Sequence, residues 1–365
     1  MSRVKKTSHP AVDPVEQRKR AHLELCEKAE VEHPGKTTLL EEIDFVHNAL
    51  PELALEEITL TTEFLGKTLA APFLITGMTG GAPEAYAINR DLASIAEQRR
   101  IAFGLGSQRA MHRNRDLAWT YQVRKFAPST VILANIGITQ AAQTPSSALR
   151  ELVEAVGADA LCVHLNPAQE LIQPEGDRDF RHGYATIQRL VSELGVPVIV
   201  KETGCGISPT IARRLYDLGA RYIDISGAGG TSWVRIEGLR NVGEAARLGA
   251  QFASWGIPTA AALLALRGTS IPRIASGGLR NGLDAAKALA LGAELCGMAL
   301  PVLKAYTAGG VAEADAFLSQ CESALRTALL LTGSASLEEL RKQPLVVGPR
   351  LQGWLEALTQ RERRN

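Results

Sequence analysis

Eight short apolar runs recur through the middle of the chain, and amphipathic stretches with helical spacing separate them. This alternation is typical of parallel β-strands that are covered by helices. Eight strand and helix units over roughly 230 residues match the usual size of a TIM barrel, whereas an open doubly wound sheet commonly carries about five or six strands. The sequence therefore predicts an α/β fold with a (β/α)8 TIM barrel. The predicted strands are residues 72–76, 100–106, 130–136, 159–165, 196–202, 221–227, 272–278 and 294–299.

The regions on either side of the barrel are predicted to be extensions. We expect an N-terminal arm and helical extension at residues 1–70, the barrel at residues 71–331 and a C-terminal helical tail at residues 332–365. The segment QRKRAHLEL is predicted to begin a helix in the arm, and residues 239–256 are predicted to form a helix inserted after the sixth strand. The proline-containing segment QPLVVGP is expected to interrupt the helices of the tail.

Composition narrows the partners and the location of the protein. Lys and Arg together number 40 and Asp and Glu 39, so no global positive field favours nucleic acid or an anionic membrane. The five cysteines form no CxxC pair, which favours reduced and mostly buried thiols. No apolar run has the length of a secretory signal or of a membrane helix. We therefore expect a cytoplasmic protein that holds any anionic ligand in a local site.

Polar side chains stand at the ends of the predicted strands, where TIM barrels gather their functional groups. Lys201 ends an especially apolar strand, and a charge pointing into the barrel mouth would be costly without an anionic partner. A bound ligand could supply that partner, and so could a salt bridge to Glu202 or to another barrel carboxylate. The polar strand ends are Thr76, Ser107, Asn135, His164, Lys201, Ser226 and Ser276.

Three glycine-rich segments follow predicted strands. GMTGG (77–81) comes after the first strand and suits a plain turn as well as a cofactor contact. ISGAGGTSW (225–233) and ASGGLRNG (275–282) come after late strands, where TIM barrels often hold a phosphate. A helix is predicted to begin at Asn281, so a phosphate there would also meet a helix N-terminus. A phosphorylated cofactor is the favoured interpretation, and tight turns without a ligand are the alternative.

The segment HLNPAQE (164–170) offers an imidazole, two amides and a carboxylate at the end of the fourth predicted strand. Glu170 could bind Mg²⁺, which prefers carboxylate and phosphate oxygens. A histidine in such a segment could instead have a structural role, so the cluster carries more weight than its individual members.

Two basic segments could bind an anion. The run RKRAH (18–22) suits phosphate oxygens, although a solvated helix face is the simpler interpretation of such a run taken alone. GSQRA (106–110) could contact a diphosphate through Ser107 and Arg109, and it could equally be a loop with a surface arginine.

Taken together, these segments resemble the type 2 isopentenyl diphosphate isomerases, which are FMN-dependent enzymes. The match runs through RKRAH, GMTGG, GLGSQR, ANIG, HLNPAQE, VKETGCGIS, DISGAGGTSW, ASGGLRNG and LCGMA, in the family's order. The combination of HLNPAQE with SGAGGTSW is its most specific part. The resemblance implies interconversion of isopentenyl and dimethylallyl diphosphate in isoprenoid biosynthesis, with reduced FMN as acid and base and Mg²⁺ holding the diphosphate. It also implies NADPH as the flavin reductant and a homotetramer or larger homo-oligomer.

The resemblance also implies roles for individual residues. The implied catalytic residues are Gln169, His164 and Lys201. The implied metal ligand is Glu170. The implied substrate contacts are Arg18, Lys19, Ser107, Gln108, Arg109, Asn166 and Gln169. The implied flavin contacts are Thr76, Gly77, Met78, Thr79, Ser107, Asn135, Lys201, Ser226, Thr231, Gly277, Gly278, Leu279, Arg280, Ala299 and Leu300.

Two other functions are compatible with a phosphate-binding barrel. An FMN oxidoreductase of the 2-hydroxy-acid oxidase or glutamate synthase type would need a base histidine after a late strand, and no histidine follows His182. A noncatalytic flavin or phosphate sensor would not need HLNPAQE, so the presence of that whole segment argues against a sensor.

Overall fold

The computed structural model describes residues 14–362, with side chains over residues 17–360, and its centre is a closed parallel barrel. All eight predicted strands form, and the last pairs with the first through Cys296 and Phe73, which closes the barrel. The prediction of a (β/α)8 TIM barrel is therefore confirmed. The barrel strands are β1 (Phe73–Ile75), β2 (Ala102–Gly104), β3 (Ile132–Gly137), β4 (Ala160–Leu165), β5 (Val198–Glu202), β6 (Tyr222–Asp224), β7 (Arg273–Ala275) and β8 (Leu295–Met298).

Helices cover the outer face of the barrel. Helix Gly282–Ala290 is rich in alanine, and its buried alanines allow the helix to lie close to the strands. The predicted insertion after the sixth strand is present as helix Gly243–Phe252, which packs against helix Trp233–Arg240. The helices of the described residues are Pro14–Lys28, Pro83–Arg99, Arg109–Arg113, Ile138–Gln143, Ser146–Val156, Pro167–Ile172, Gly183–Glu193, Pro209–Asp217, Trp233–Arg240, Gly243–Phe252, Thr259–Ala265, Gly282–Ala290, Leu300–Thr332, Leu337–Lys342 and Pro349–Glu362.

A hairpin of two short strands, Thr62–Phe64 and Lys67–Leu69, closes the N-terminal end of the barrel. The buried Phe64 belongs to the apolar cluster inside the barrel, and its ring meets that of Tyr222 edge-on at 4.8 Å. Lys67 pairs with Asp159 at 2.7 Å and so ties the hairpin to the start of β4. The sequence prediction of only helical and turn segments before the barrel missed this hairpin.

The two extensions are joined to each other by a short antiparallel sheet. Strand Ile43–Phe45 pairs with strand Leu345–Val347, and Ile43 lies opposite Val347. The second of these strands occupies the segment QPLVVGP, where the sequence predicted only a break between helices. This pairing brings both extensions to one side of the barrel, and helix Pro349–Glu362 then packs on helix Thr259–Ala265.

Helix Pro14–Lys28 lies across the barrel mouth and packs against helices Trp233–Arg240 and Leu300–Thr332. The first thirteen residues of the predicted arm lie outside the described residues. Within residues 14–362, no helix combines the length and the apolar character needed to cross a bilayer. The five cysteines are free thiols, and four of them are buried, as the sequence predicted.

Candidate active site

A cavity of about 220 Å³ lies at the C-terminal ends of the barrel strands, beneath helix Pro14–Lys28. Parallel strands in a barrel end at the same edge, so side chains that are far apart in the sequence meet there. Every predicted site residue lines this cavity except Arg18, Gln108, Arg109 and Glu170. The seven polar strand ends named from the sequence all lie in this lining, and the other residues of the set are those that the family resemblance implied.

His164 lies near the end of β4 and lines the cavity beside Asn135 of β3. Its Nδ1 lies 2.8 Å from Oδ1 of Asn135, and because an amide oxygen only accepts, Nδ1 carries the proton. Burial, together with the positive charges of Lys201 and two arginines, lowers the pKa of His164 to about 3. The imidazole is therefore neutral at pH 7, and its Nε2 is a hydrogen-bond acceptor.

Lys201, in β5, directs its ammonium to the backbone carbonyl of Glu202 at 2.6 Å. The Glu202 carboxylate is engaged elsewhere, because it accepts hydrogen bonds from the backbone N–H groups of Thr203 and Gly204, both at 2.7 Å. Burial raises the pKa of Glu202 to about 7, and these N–H donors oppose that rise. The Lys201–Glu202 side-chain salt bridge considered from the sequence is therefore absent from the described residues. The nearby buried Asp224 has a raised pKa because of desolvation, and the Lys201 charge partly offsets this.

Gln169 is held by a buried carboxylate from helix Trp233–Arg240. Its Nε2 lies 3.3 Å from Oε1 of Glu237, and the same oxygen lies 2.9 Å from Nε2 of His22. His22 belongs to helix Pro14–Lys28, which lies over the cavity and is called the roof helix below. Arg240 donates to the other carboxylate oxygen at 2.8 Å. Burial alone would raise the pKa of Glu237, but the bonds from His22 and Arg240 hold it below its usual value. Glu237 is therefore a fully buried anion that fixes one end of the Gln169 amide.

Glu170, the predicted Mg²⁺ ligand, lies just behind the cavity lining. Its Oε1 accepts from Asn166 Nδ2 at 3.0 Å and its Oε2 accepts from the Asp177 N–H at 2.8 Å. Within residues 17–360, no three acidic, histidine or cysteine side chains come close enough together to hold a metal ion. A Mg²⁺ ion at Glu170 would therefore need oxygen ligands from a bound diphosphate and from water, which is a common arrangement for this ion.

Two arginines lie near each other at the edge of the cavity. Arg18 has a pKa below its usual value because of burial and because of the positive charge of Arg109. The Nε atoms of both residues are buried and have no hydrogen-bond partner within the described residues. Unpartnered buried guanidinium nitrogens are costly, and a phosphate is the kind of ligand that satisfies them.

The structure does not bring the Gln108 side chain to the cavity. Gln108 is fully buried, its Nε2 donates to the Leu152 carbonyl at 3.0 Å and its Oε1 accepts from the Asn135 N–H at 3.1 Å. This side chain therefore braces the loop after β2, and a contact of Gln108 with substrate stays a prediction. Lys19, also predicted to contact substrate, lines the cavity but bonds to protein oxygens, among them Tyr121 Oη at 2.7 Å.

Two glycine loops interlock on the side of the cavity that β6 and β7 form. Gly278 has a φ of 86°, and a Cβ there would lie 2.9 Å from the Gly229 backbone. A Cβ on Gly230 would lie 2.4 Å from the Gly278 nitrogen. Only glycine fits these positions, which leaves the backbone of both loops close to any ligand in the cavity.

The predicted phosphate site at the start of helix Gly282–Ala290 is partly filled by protein groups. Asn281 caps the helix by accepting from the Asp284 N–H at 2.9 Å, and the Asp284 carboxylate accepts from the Arg280 N–H at 2.9 Å. The Arg280 guanidinium pairs with Glu32 at 2.6 Å. A phosphate here would therefore rely on the glycine loop and on the start of helix Leu300–Thr332.

Comparison with known proteins agrees with the motifs. A family profile described as FMN-dependent dehydrogenase matches residues 121–347. The isopentenyl-diphosphate delta-isomerase of Synechococcus sp. is 48% identical over 338 residues, which cover 91% of this chain and 96% of the relative. The protein of the same name from Methanothermobacter thermautotrophicus is 44% identical over 343 residues, covering 93% and 96%. This chain belongs to the type 2 isopentenyl-diphosphate delta-isomerase family. The resemblance stated from the sequence motifs is thereby confirmed.

Solved structures share the fold of this isomerase-family chain at low sequence identity. A flavocytochrome b2 variant superposes with a TM-score of 0.65 at 18% identity, covering 92% of this chain and 84% of the other. A mandelate oxidase superposes with a TM-score of 0.60 at 17% identity, covering 91% and 98%. These likenesses show the barrel fold alone.

The sequence prediction missed four side chains that shape the site of this isomerase-family member. Glu237 and Arg240 were not singled out, His22 was noted only as part of the basic run, and Trp233 only as the end of a glycine-rich segment. Trp233 lines the cavity and meets the His22 ring edge-on at 5.1 Å. One signal was present, because Glu237 follows Trp233 by four residues and so lies on the same helix face.

Proposed function

We propose that this chain moves the double bond of isopentenyl diphosphate from C3–C4 to C2–C3 and so forms dimethylallyl diphosphate for isoprenoid biosynthesis. The membership of the isomerase family supports the reaction. The observation that carries the proposal is the pair of buried Nε atoms of Arg18 and Arg109, which have no hydrogen-bond partner in the described part of the chain and lie beside a cavity floored by polar strand ends. A diphosphate satisfies the arginines, and the short hydrocarbon end can then lie in the cavity.

The residues present fit an FMN. Lys201, Asn135 and Thr76 offer polar groups at the barrel mouth, and the loops around Gly230 and Gly278 can approach a flat, phosphorylated molecule closely because neither accepts a side chain. Bound in its reduced form, FMN supplies an acid and base at N5 and an electron-rich face that stabilises developing positive charge. The chain itself supplies binding, orientation and exclusion of water.

The roles of the polar side chains follow from their hydrogen bonds. Glu237 holds the Gln169 amide, and His22 and Arg240 hold Glu237, so that Gln169 keeps one orientation in the cavity. The neutral His164 donates to Asn135 and leaves Nε2 as a hydrogen-bond acceptor on the side of the cavity. Roof residues from helix Pro14–Lys28 exclude water from the alkene, which protects a carbocation-like transition state.

We further propose Mg²⁺ near Glu170 as a bridge to the diphosphate, with Asn166 keeping the carboxylate in place. Removal of divalent ions with a chelator should abolish turnover while FMN stays bound, and added Mg²⁺ should restore it. NADPH as the reductant, the homotetramer or larger assembly, the cytoplasmic location and the domain boundaries stay predictions from the sequence.

A direct assay tests the reaction. Purified protein loaded with FMN is mixed with Mg²⁺ and isopentenyl diphosphate, and dimethylallyl diphosphate is measured with the flavin oxidised and with it reduced. We expect product only with reduced flavin. Gln169→Ala should lose activity and retain flavin, and the exposed Gln98→Ala is the matched control. Equal activity in both flavin states would refute the acid and base role of the flavin, and no product in either state would refute the isomerase.

A 2-hydroxy-acid oxidase is the rival that the fold neighbours would suggest. Their identity of 17% to 18% supports the fold only. The absence of any histidine after His182 removes the base that such an oxidation would need after a late strand. Oxygen consumption with small hydroxy acids should therefore be absent.

A further inference from the structure

Lys19 of the roof helix sits in a socket made of three protein oxygens. Its ammonium donates to the Gly80 carbonyl, to the Ser107 carbonyl at 3.1 Å and to Tyr121 Oη at 2.7 Å. These bonds use all three N–H donors of the ammonium. Lys19 thus joins helix Pro14–Lys28 to the two loops that follow β1 and β2.

Tyr121 completes the socket from outside the cavity. Tyr121 is fully buried, and its hydroxyl accepts from the Lys19 ammonium and donates to the Ser107 carbonyl at 2.8 Å. Because Lys19 also donates to the Ser107 carbonyl, the ammonium, the hydroxyl and the carbonyl form a closed ring of hydrogen bonds. A Cβ on Gly80 would lie 2.1 Å from the Tyr121 ring, so the glycine lets the loop rest directly on it. Burial and the Arg18 charge lower the pKa of Lys19 to about 7, and the three acceptors favour its charged form.

The socket also sets the distance between the two arginines of the proposed diphosphate site. Arg18 precedes Lys19 on the helix, and Arg109, the first residue of helix Arg109–Arg113, follows Ser107 by two residues. The two guanidinium groups carry like charges and repel each other, so nothing in the pair itself holds the helix down. Burial, and after it the charge of Arg109, lowers the pKa of Arg18. The neighbouring attachment of Lys19 to Ser107 offsets that repulsion and keeps both arginines at one site.

We propose that Tyr121 is a positioning residue for substrate: with the carbonyl oxygens of Gly80 and Ser107 it forms a socket that anchors Lys19, holds the roof helix closed and places Arg18 beside Arg109. This inference rests on the proposed function for the identity of the ligand. The closure of the helix, however, is a property of the protein without substrate and is measured separately.

The kinetic test compares Tyr121→Phe with the parent enzyme in the FMN-loaded full chain. The variant keeps the ring and loses one acceptor for a buried ammonium, so KM for isopentenyl diphosphate should rise about 10-fold while kcat changes little. Tyr306→Phe is the matched control, because the Tyr306 hydroxyl also bonds to a charged partner, donating to Asp91 at 2.7 Å, and lies outside the cavity lining. General destabilisation would affect both variants alike, whereas a KM rise confined to Tyr121→Phe supports the socket.

A double-mutant cycle with Lys19→Met tests whether the two residues act together. The double variant should be no worse than Lys19→Met alone, because the hydroxyl has no ammonium left to hold. Fully additive effects on KM would overturn the proposal.

A third measurement needs no turnover. Amide hydrogen exchange of helix Pro14–Lys28 in the FMN-loaded protein without substrate should be faster in Tyr121→Phe and Lys19→Met than in the parent and in Tyr306→Phe. Calorimetric titration with inorganic diphosphate should show weaker binding in the same two variants. Parent-like exchange refutes the socket even if the enzyme isomerises, and faster exchange supports it even if no product forms. If Tyr121→Phe does not fold, exchange in Lys19→Met decides.

Discussion

Replacing His164 with glutamine should remove a pH-dependent part of the stability of the protein. The imidazole is half-buried beside Lys201 and near two arginines, and its partial burial and these charges lower its pKa to about 3 in the folded chain from 6.5 when unperturbed. Between those two values the unfolded chain binds a proton that the folded chain does not. Stability therefore decreases as the pH falls from 6.5 towards 3, and it is unaffected by this group above 6.5.

The size of the effect follows from the two pKa values. Each unit of pKa difference corresponds to about 1.4 kcal/mol. Lowering the pH from 7 to 5 spans about 1.5 units below the unfolded pKa, so His164 should cost the parent protein about 2 kcal/mol over that interval. Glutamine can keep a hydrogen bond to Asn135 and cannot be protonated in this range, so the variant should lack that loss.

Urea unfolding of FMN-free protein, followed by tryptophan fluorescence at pH 7 and pH 5, measures the effect. The free energy of unfolding of the parent should fall relative to His164→Gln by about 2 kcal/mol between the two pH values. The exposed His47→Gln is the control and should follow the parent at both. A parent-to-variant difference that changes by less than about 0.5 kcal/mol would show that the folded site tolerates an imidazolium, and the neutral role of His164 would then be wrong.

Three further substitutions test the parts of the site separately. Gly278→Ala should weaken FMN binding about 10-fold or more in a fluorescence titration, because its φ of 86° is strained for alanine and the new Cβ meets the Gly229 backbone. The control is Gly353→Ala, whose new Cβ meets no other atom within 4 Å, and this variant should bind FMN normally. Tight FMN binding by Gly278→Ala would contradict the contact between the two loops. Glu237→Gln should lower kcat about 10-fold or more with FMN affinity unchanged, since the anion that holds the Gln169 amide is lost. An unchanged kcat would show that the reaction does not need this orientation of Gln169. Arg109→Met should raise KM for isopentenyl diphosphate about 10-fold to 100-fold, because charge-assisted hydrogen bonds to the phosphate are lost. A KM equal to that of the parent would show that the diphosphate binds elsewhere.

The barrel could be predicted from the sequence because each strand carries its own signal. A strand such as β4 is an apolar run with one polar residue, His164, next to its end, and both features can be read locally. Strand ends such as Asn135 and His164 meet because closure of any parallel barrel brings them together. No information beyond the strand count was needed for that step.

The strands outside the barrel could not be predicted in the same way. Two strands of only three residues each, Ile43–Phe45 and Leu345–Val347, pair with each other although about 300 residues separate them in the chain. Neither segment therefore shows a local strand pattern. The hairpin before β1 contains Lys67, whose charge is acceptable only because Asp159 lies at the barrel end to receive it. These elements form through tertiary contacts that a short window of sequence does not reveal.

The surroundings of single polar side chains could not be predicted from the sequence for a related reason. Gln108 stands in a predicted substrate motif, and its side chain bonds to the Leu152 carbonyl of helix Ser146–Val156. Glu237 stands in an ordinary-looking helix, yet it is fully buried because helix Pro14–Lys28 lies over it and supplies His22. Whether a charge is solvated or buried depends on what packs on top of it, and that is decided by another element.

The roof helix links parts of the site that the strand pattern alone does not bring together. The strand ends form the floor of the cavity, and the space above them is bounded by this segment, which precedes the barrel. Here that segment contributes Lys19 to a three-oxygen socket, His22 to the Glu237 carboxylate and Arg18 to the edge of the cavity. Because these three contacts come from one helix, any change that lifts it should weaken diphosphate binding and loosen the Gln169 amide together. A variant of the helix that affected only one of the two would show that they are not coupled through it.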